Sequence, residues 1–396
     1  MLLRNVQLIN LLSFKDAKLS LEPLNVVIGP NGSGKSNLIS AIALLRSAPS
    51  DLAQVIAKGG GIREWIWRGP GNGRADISSL TCEIEVNLPE REHLLTRYRL
   101  ALQEHGQAFS ILKEELQPIS ATGYHKEFFD REAGKVVFGA RIAEETDELP
   151  EIGRIHPSQS VFSQFRDPIE LPHLTAIGKR LDSIRVYRGF NTGEGPEAGA
   201  RFGVSTNYPP TDVLAEGGFN LSLVLNNMDV HRRLKRINAD LTELCDRFEE
   251  IKVDVSGGIA KAYLYERNLN GRTSGSRMSD GTLKFLCLLA VLYNAAPDDA
   301  LVCIEEPEIG LHPDAVRLVA RALRDASSRM QIIVTTHSDV LVDELSDIPE
   351  SVVVCDNEAE SGSRFERMSR HRLDGWLDRY SLGEIWRRGE MGGNRW

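Results

Sequence analysis

The sequence has few of the features that would commit it to a membrane, a secretory route or a disulfide scaffold. No apolar run approaches the roughly 18 residues that a spanning helix needs. Met1-Leu2-Leu3-Arg4-Asn5-Val6 lacks the basic-then-apolar layout of a signal peptide and reads as a first strand. The five cysteines (Cys82, Cys245, Cys287, Cys303 and Cys355) are scattered without metal-type pairing. Cys287 and Cys303 sit in apolar runs and read as small core residues. No internal repeat is found, and no heptad run is long enough for an extended coiled coil. A basic excess is also missing: the formal net charge is −9, which gives no global footprint for nucleic acid. These absences point to a reducing, cytoplasmic setting. The densest basic cluster, His231-Arg232-Arg233-Leu234-Lys235-Arg236, reads first as a solvated helix face.

Hydrophobic content of 41% and charged content of 26% fit a globular chain able to bury a core. Its 396 residues allow one large domain or two to three ordinary ones. Residues 24–28, β-branched and bounded by Pro23 and Gly29, read as a buried strand, and residues 37–45 have helical spacing. From about 77 to 139, short alternating runs (81–86, 98–103, 109–114 and 136–138) predict an antiparallel meander. Residues 142–172 and 189–210 read as loop-rich, with a helix over 171–182 and a strand over 183–187 between them. Helices are expected from 221 to 250, broken near Met228. The final third returns to helix and buried strand in alternation: helices over 282–294 and 313–326, strands over 301–304, 331–335 and 351–354. That alternation predicts a mainly parallel sheet with helices on its faces.

Between the strand at 24–28 and the helix at 37–45 lies Gly29-Pro30-Asn31-Gly32-Ser33-Gly34-Lys35-Ser36-Asn37, a Gly-x4-Gly-Lys-Ser pattern. The glycines permit close backbone approach, and the N–H groups of the loop and helix start face phosphates. Lys35 can reach the β- and γ-phosphates, and the Ser36 hydroxyl can ligate Mg²⁺. The loop is therefore expected to bind a nucleoside triphosphate, ATP with magnesium.

Three further motifs fit around that loop. The strand Leu301-Val302-Cys303-Ile304 ends in Glu305-Glu306-Pro307-Glu308. Alone this reads as a solvated strand end. Beside a phosphate loop, Glu305 becomes a candidate Mg²⁺ ligand and Glu306 a candidate general base for an attacking water. A second strand, at 331–335, delivers His337 to the same sheet edge, where it could meet a γ-phosphate or that water. Ser279-Asp280-Gly281-Thr282 opens an apolar helix, either as an N-cap or as a second phosphate-binding helix start. One site has no need for two such starts, whereas two facing protomers would use both. About 270 residues separate Ser36 from Glu306, which excludes small GTPases and simple nucleotide kinases as close relatives.

The four motifs in this order resemble ABC-type ATPases of the branch that includes SMC, RecF and the OLD (overcoming lysogenization defect) proteins. They look closest to OLD-like predicted AAA-family ATPases of prokaryotes that lack a TOPRIM nuclease domain, since residues 357–396 are too few for one. Asp356, Glu358 and Glu360 are accordingly not expected to form a nuclease metal site. The resemblance implies an α/β fold: a P-loop NTPase of ABC type with an antiparallel β meander and a mainly helical insertion. Residues 1–90 and 270–356 would form the ATPase core in two halves. Residues 91–140 would be the β extension, 141–269 the helical insertion and 357–396 a C-terminal tail.

By the same resemblance, ATP binding closes a head-to-head homodimer. Ser279, Asp280 and Gly281 of one protomer would reach the partner's γ-phosphate, and Gly310-Leu311-His312-Pro313 would cross the interface. His337 would be the switch histidine, and Gln54 is a weak candidate for the Q-loop glutamine. The signature Ser-Asp-Gly-Thr differs from the transporter form. The implied role is DNA maintenance or phage defence with a separately encoded nuclease or other effector, with possible DNA contact and no membrane. A regulatory scaffold that uses ATP only to order protein partners is the alternative.

Overall fold

A computed structural model describes residues 1–69, 77–88, 91–119, 125–132, 134–140, 151–193, 203–207, 212–294 and 301–392. Strands β1 (Leu3–Leu11) and β2 (Phe14–Ser20) form an antiparallel hairpin, and the apolar run β3 (Leu24–Ile28) is buried throughout. The phosphate loop leads into α1 (Lys35–Ser47), followed by α2 (Leu52–Lys58) and α3 (Ile62–Trp65). A meander comes next: β4 (Ile77–Leu88), β5 (Arg91–His105), β6 (Ala108–Pro118), β7 (His125–Glu132), β8 (Lys135–Ala140) and β9 (Glu151–Arg154). Helices α4 (Val161–Gln164) and α5 (Pro172–Asp182) then lead to β10 (Arg185–Tyr187).

After β11 (Val204–Ser205), helices α6 (Leu221–Val230) and α7 (Leu234–Leu244) precede β12 (Phe248–Ser256), β13 (Ile259–Glu266) and β14 (Arg272–Ser274). The last third holds α8 (Asp280–Tyr293), β15 (Leu301–Glu305), α9 (Pro313–Ser327), β16 (Gln331–Thr335) and α10 (Asp339–Asp343). It ends with β17 (Val352–Glu358), β18 (Gly362–Arg367) and α11 (Leu382–Arg387).

Among the described residues, fourteen strands join one sheet in the order β10-β15-β16-β3-β17-β18-β2-β1-β4-β5-β6-β7-β8-β9. The first five are mutually parallel, and the remainder continue antiparallel. Strands β11 to β14 form a separate small sheet. Along the parallel strands successive side chains enter opposite cores, as a sheet covered on both faces requires. Val26, Ile304, Val334 and Val354 pack with α8 and α9, whereas Val27, Cys303, Ile333 and Val353 pack with α1, α5 and the meander.

A buried polar network fastens the meander to the segment before α4. Glu114 and Arg131, both with side chains 0% exposed, lie 3.4 Å apart. Glu114 also accepts from Tyr98 Oη at 2.9 Å and Val161 N at 2.9 Å, and Arg131 donates to the carbonyls of His156, Pro157 and Gln159.

The parallel core and the meander match the sequence reading, with four differences. Strand β2 was missed because its buried residues Phe14, Ala17 and Leu19 break strict alternation. Strands β7 and β9 were missed as well. The helical run expected to reach 250 stops at Leu244, and β12 to β14 follow it. The apolar series Leu234, Ile237, Leu241 runs on to Phe248 at helical spacing, although Phe248 opens the alternating strand β12. Finally, the segment set apart as a tail supplies β18 to the main sheet and α11, whose Leu382, Ile385 and Trp386 are buried. Among the described residues no helix is long and apolar enough to cross a membrane.

Candidate functional site

Parallel pairing puts three strand ends side by side. In register, Glu305 faces Thr335 and Thr335 faces Val27, so Glu306, His337 and Gly29 leave the sheet at one edge. Parallel sheets carry their ligand sites at this carboxyl edge.

The loop after β3 is shaped by what lies behind it. Gly29 has φ +152°, and a Cβ there would overlap the Cys355 carbonyl oxygen on β17, so a side chain is excluded. Cys355 Sγ donates to Ser33 O at 3.2 Å and Asn357 Nδ2 to Gly32 O at 3.1 Å, both from β17. Helix α1 begins with Gly34 as N-cap and no side-chain cap, which leaves its first N–H groups available to an anion. Lys35 Nζ donates to Gly29 O and Pro30 O at 2.8 and 2.9 Å, which uses two of its three protons. Burial lowers the proton affinity of Lys35, while Cys355, Glu306, Glu308 and Glu305 act in the opposite sense.

Glu306 stands in left-handed backbone at φ +46°, unusual for a residue with a side chain. Its N–H donates to Thr335 O at 2.9 Å and its carbonyl accepts from Ile309 N at 3.2 Å, and these bonds hold the turn. Strain of this kind costs of order 1–3 kcal/mol and concentrates at functional positions. His337 Nε2 lies 3.5 Å from Glu306 Oε1, near but beyond a good hydrogen bond. Partial burial, then the charge of Lys35, pushes the imidazole below the ordinary histidine value, against the pull of Glu306.

Two residues that the sequence did not single out complete this edge. Glu308 Oε1 accepts from His337 N at 2.7 Å. Its Oε2 is buried with no hydrogen-bond partner among the described residues, and burial raises its proton affinity. Arg188 follows β10, which pairs in parallel with β15, and so emerges beside the acidic strand end. Its Nε lies 3.8 Å from Glu305 Oε2 and its Nη2 donates to Ser40 Oγ on α1 at 3.0 Å. In sequence Glu308 is one more acid in an acidic run, and Arg188 is an isolated cation after a short strand. Only the pairing of β10, β15 and β16 gives them partners.

The residues present fit a bound nucleotide and its metal. Ser33 Oγ, in the loop, and Thr335 Oγ1, at the end of β16, are buried polar atoms without partners among the described residues, as is Glu308 Oε2. Such groups are costly to leave unsatisfied. The donor set of an uncapped helix start and Lys35 suits phosphate oxygens, and Ser36 and Glu305 are hard oxygen donors of the kind that would suit a divalent cation such as Mg²⁺.

The expected signature residues lie elsewhere. Ser279 is the N-cap of α8, its Oγ accepting from Thr282 N at 3.1 Å, and Ser279 and Asp280 are exposed. Gly281 packs against the loop after β15: a Cβ there would stand 3.0 Å from Gly310 O, and Lys284 Nζ donates to Ile309 O at 3.3 Å. Loop residue His312 caps α9, which begins at Pro313. Gln54 lies exposed on α2 with local partners, its N–H on Asp51 and its Oε1 accepting from Lys58. Asp356 Oδ1 accepts from the neighbouring Asn357 N–H, and Glu358 pairs with Arg364.

A glycine-rich loop opening a helix, an acidic strand end and a histidine on neighbouring parallel strands define a P-loop nucleotide-binding protein. The chain belongs to the AAA domain family described as putative AbiEii toxin, type IV TA system, whose profile matches residues 24–343. It is 25% identical over 364 residues to the uncharacterized protein YbjD of Escherichia coli strain K12, covering 86% of this chain and 59% of YbjD. It thus spans less than two thirds of that relative.

Among solved structures, an SMC head bound to the C-winged helix domain of ScpA superposes with TM-score 0.56 at 14% identity. That match covers 94% of this chain and 100% of the other. The Smc head domain with an extended coiled coil from Pyrococcus furiosus, bound to the C-terminal domain of ScpA, gives 0.55 at 12% identity over 95% and 98%. At these identities the likeness is one of fold, and the fold is that of an ABC-type P-loop NTPase. Family and fold together indicate an ATPase.

Proposed function

We propose that this chain is a magnesium-dependent ATP switch in which ATP binding closes two copies head to head and hydrolysis reopens them. The observation that carries this is the separation of two helix starts that could each receive phosphate. Lys35, Glu306 and His337 share one sheet edge, while Ser279, Asp280 and Gly281 stand at a separate, solvent-facing helix start beside the Gly310 loop. A second copy facing the first would bring that helix start to the phosphates. Residues 1–90 and 270–356 would be the hydrolytic core, extended by β18 and α11.

Within the closed site, Lys35 and the N–H groups at the start of α1 hold the phosphates, and Ser36 and Glu305 hold Mg²⁺. The metal, when bound, neutralises phosphate charge. Arg188 stands against Glu305 on the side away from β16 and keeps a second cation at that carboxylate. A water attacks the γ-phosphorus in line, the bond to the ADP oxygen breaks, and Glu306 takes the proton of the water. His337, neutral above its lowered pKa, orients Glu306. Positioning and electrostatics do nearly all the work, and slow turnover fits a switch.

Glu306→Gln is the test. It should retain ATP, lose turnover by on the order of 10²-fold or more, and accumulate as an ATP-dependent dimer in light scattering, whereas Lys35→Ala should stay monomeric. Unchanged turnover in Glu306→Gln would remove the assignment.

The role is proposed to be nucleic-acid-linked and cytoplasmic, in DNA maintenance or phage defence with a separately encoded nuclease or other effector, and the chain to belong to the OLD-like branch. The motif set and the AbiEii-type family support this. The two SMC heads, each bound to a domain of ScpA, favour a second reading, a scaffold that orders protein partners. ATPase rates with and without DNA separate the two: absence of any stimulation favours the scaffold.

A further inference from the structure

The corner between α6 and α7 carries the run His231-Arg232-Arg233-Leu234-Lys235-Arg236, and tertiary packing enlarges it. Arg236 holds its guanidinium 4.5 Å from the centre of the Tyr293 ring, on the last residue of α8. The carbonyls on either side of that tyrosine, Leu292 O and Asn294 O, accept from Arg329 at 2.7 and 3.2 Å. Arg329 comes from the turn between α9 and β16, remote in sequence. Partial burial first, and then the charges of Arg236 and Arg233, lower its proton affinity, as expected where cations crowd.

Among the described residues, the acids found in pairs or hydrogen bonds at this corner are engaged with other groups. Asp325 pairs with Arg236, Glu243 pairs with Arg321, and Asp240 accepts from the Tyr293 hydroxyl. Among the described residues no acidic partner is found for Arg232, Arg233, Lys235 or Arg329. On a chain of net charge −9, such a gathering is not explained by composition.

Local backbone adds an independent sign. Arg232 stands in left-handed conformation at φ +59°, just past the end of α6. Its N–H and that of Arg233 turn back to Asp229 O and Met228 O at 2.9 and 2.8 Å. Glycine is the usual residue at such a helix end, because any Cβ is strained there. The sequence instead places a long cation. The corner also lies away from the phosphate loop: Arg329 precedes the first residue of β16, and His337 follows its last.

We propose that Arg232, Arg233, Lys235 and Arg329 form a surface that binds the sugar–phosphate backbone of a nucleic acid. Three of the four are arginines, whose planar donor forks match phosphate oxygens. Contacts to the backbone carry no base information, so binding is independent of sequence and steeply dependent on salt. A membrane surface fits less well. Between 229 and 236 the aliphatic residues are Val230 and Leu234; Leu234 is buried, so the exposed Val230 by itself offers no apolar face for a lipid boundary. The proposal rests on the nucleic-acid-linked role given above and not on the phosphate loop.

Fluorescence anisotropy with a short labelled duplex tests it. Four neutralised phosphates give a log–log salt slope of about −3.6, so affinity should fall roughly 100-fold between about 50 and 200 mM salt. Arg232→Gly should raise Tm, by relieving strain, and yet weaken binding and flatten the slope by about one. The triple variant Arg232→Gly, Arg233→Gln, Lys235→Gln should lose most of the slope. A folded triple variant with wild-type affinity overturns the surface and leaves the nucleic-acid role standing. A wild-type chain with no salt-dependent duplex binding overturns both, while the ATPase proposal still answers to Glu306→Gln. Binding to phosphatidylserine vesicles but not to duplex, lost in the triple variant, reassigns the surface to membrane and overturns the proposal.

Discussion

Alanine at Gly29 or at Gly32 adds the same methyl group to two points of one loop, but the surroundings make the two costs unequal. Both glycines have positive φ, +152° and +75°. An L residue in such conformations costs about 1–2 kcal/mol, partly offset by about 0.4–1 kcal/mol from a less flexible unfolded chain. For Gly32 that is the whole account, since a Cβ there meets nothing within 4 Å. Gly32→Ala should therefore destabilise by roughly 1 kcal/mol.

At Gly29 the new methyl overlaps the Cys355 carbonyl oxygen and lies 3.2 Å from its carbon and 3.0 Å from Ser33 Oγ. The carbonyl belongs to the backbone of β17, which is hydrogen-bonded to β3, so it cannot rotate away. Overpacking of a rigid site costs typically 1–3 kcal/mol, and Gly29→Ala should lose roughly 2–5 kcal/mol in total. Urea unfolding of the two variants, read as the shift in midpoint at constant slope, measures the difference. Equal losses would refute the claim that β17, rather than φ alone, dictates glycine at 29.

Three further outcomes are expected. Glu308→Ala removes the acceptor of the His337 amide and should lower kcat on the order of ten-fold, equivalent to about 1.4 kcal/mol. The KM for ATP should change little, and Glu308→Gln, which keeps a carbonyl acceptor, should recover most of the rate; a rate for Glu308→Ala equal to wild type would dismiss the positioning role. His337 is held below the ordinary histidine value of 6.5 by burial and by Lys35. The folded state therefore favours the neutral ring: that contribution to stability is present above pH 6.5 and is lost as pH falls through the lower folded value. The acid limb of turnover should accordingly lie below pH 6.5, and His337→Gln should abolish it; an unaltered limb assigns it to another group. Arg131→Leu leaves the fully buried Glu114 without its cation and should cost about 3–5 kcal/mol in urea unfolding; a loss under about 1 kcal/mol would show that the pair contributes no more than a surface one.

Much of the site was written in local chemistry. The phosphate loop needs glycines, a lysine and a hydroxyl within nine consecutive residues between a strand and a helix, and residues 29–37 supply them in order. The strands ending at Glu305 and Thr335 announce themselves by short apolar runs, because a strand covered on both faces has no polar side to alternate. A cap for α8 at Ser279 or Asp280 and Pro313 as the first residue of α9 were equally legible, since capping acts over three or four residues, and the structure makes Ser279 the cap. So the sequence by itself determined the parallel core, the phosphate loop and which acids and histidine end the neighbouring strands.

Tertiary structure decided what depends on remote partners. Glu308 became the holder of His337 only through the pairing of β15 with β16, and Arg188 met Glu305 only through the pairing of β10 with β15. Arg329 joined the basic corner because α7 packs beside the end of α8. The irregular strands β2 and β7, the four-residue β9, and β18 closing the sheet against β2 carry too little period to be read in isolation. Hydrogen bonds to strands distant in sequence stabilise them, and single-segment patterns hold no record of those partners.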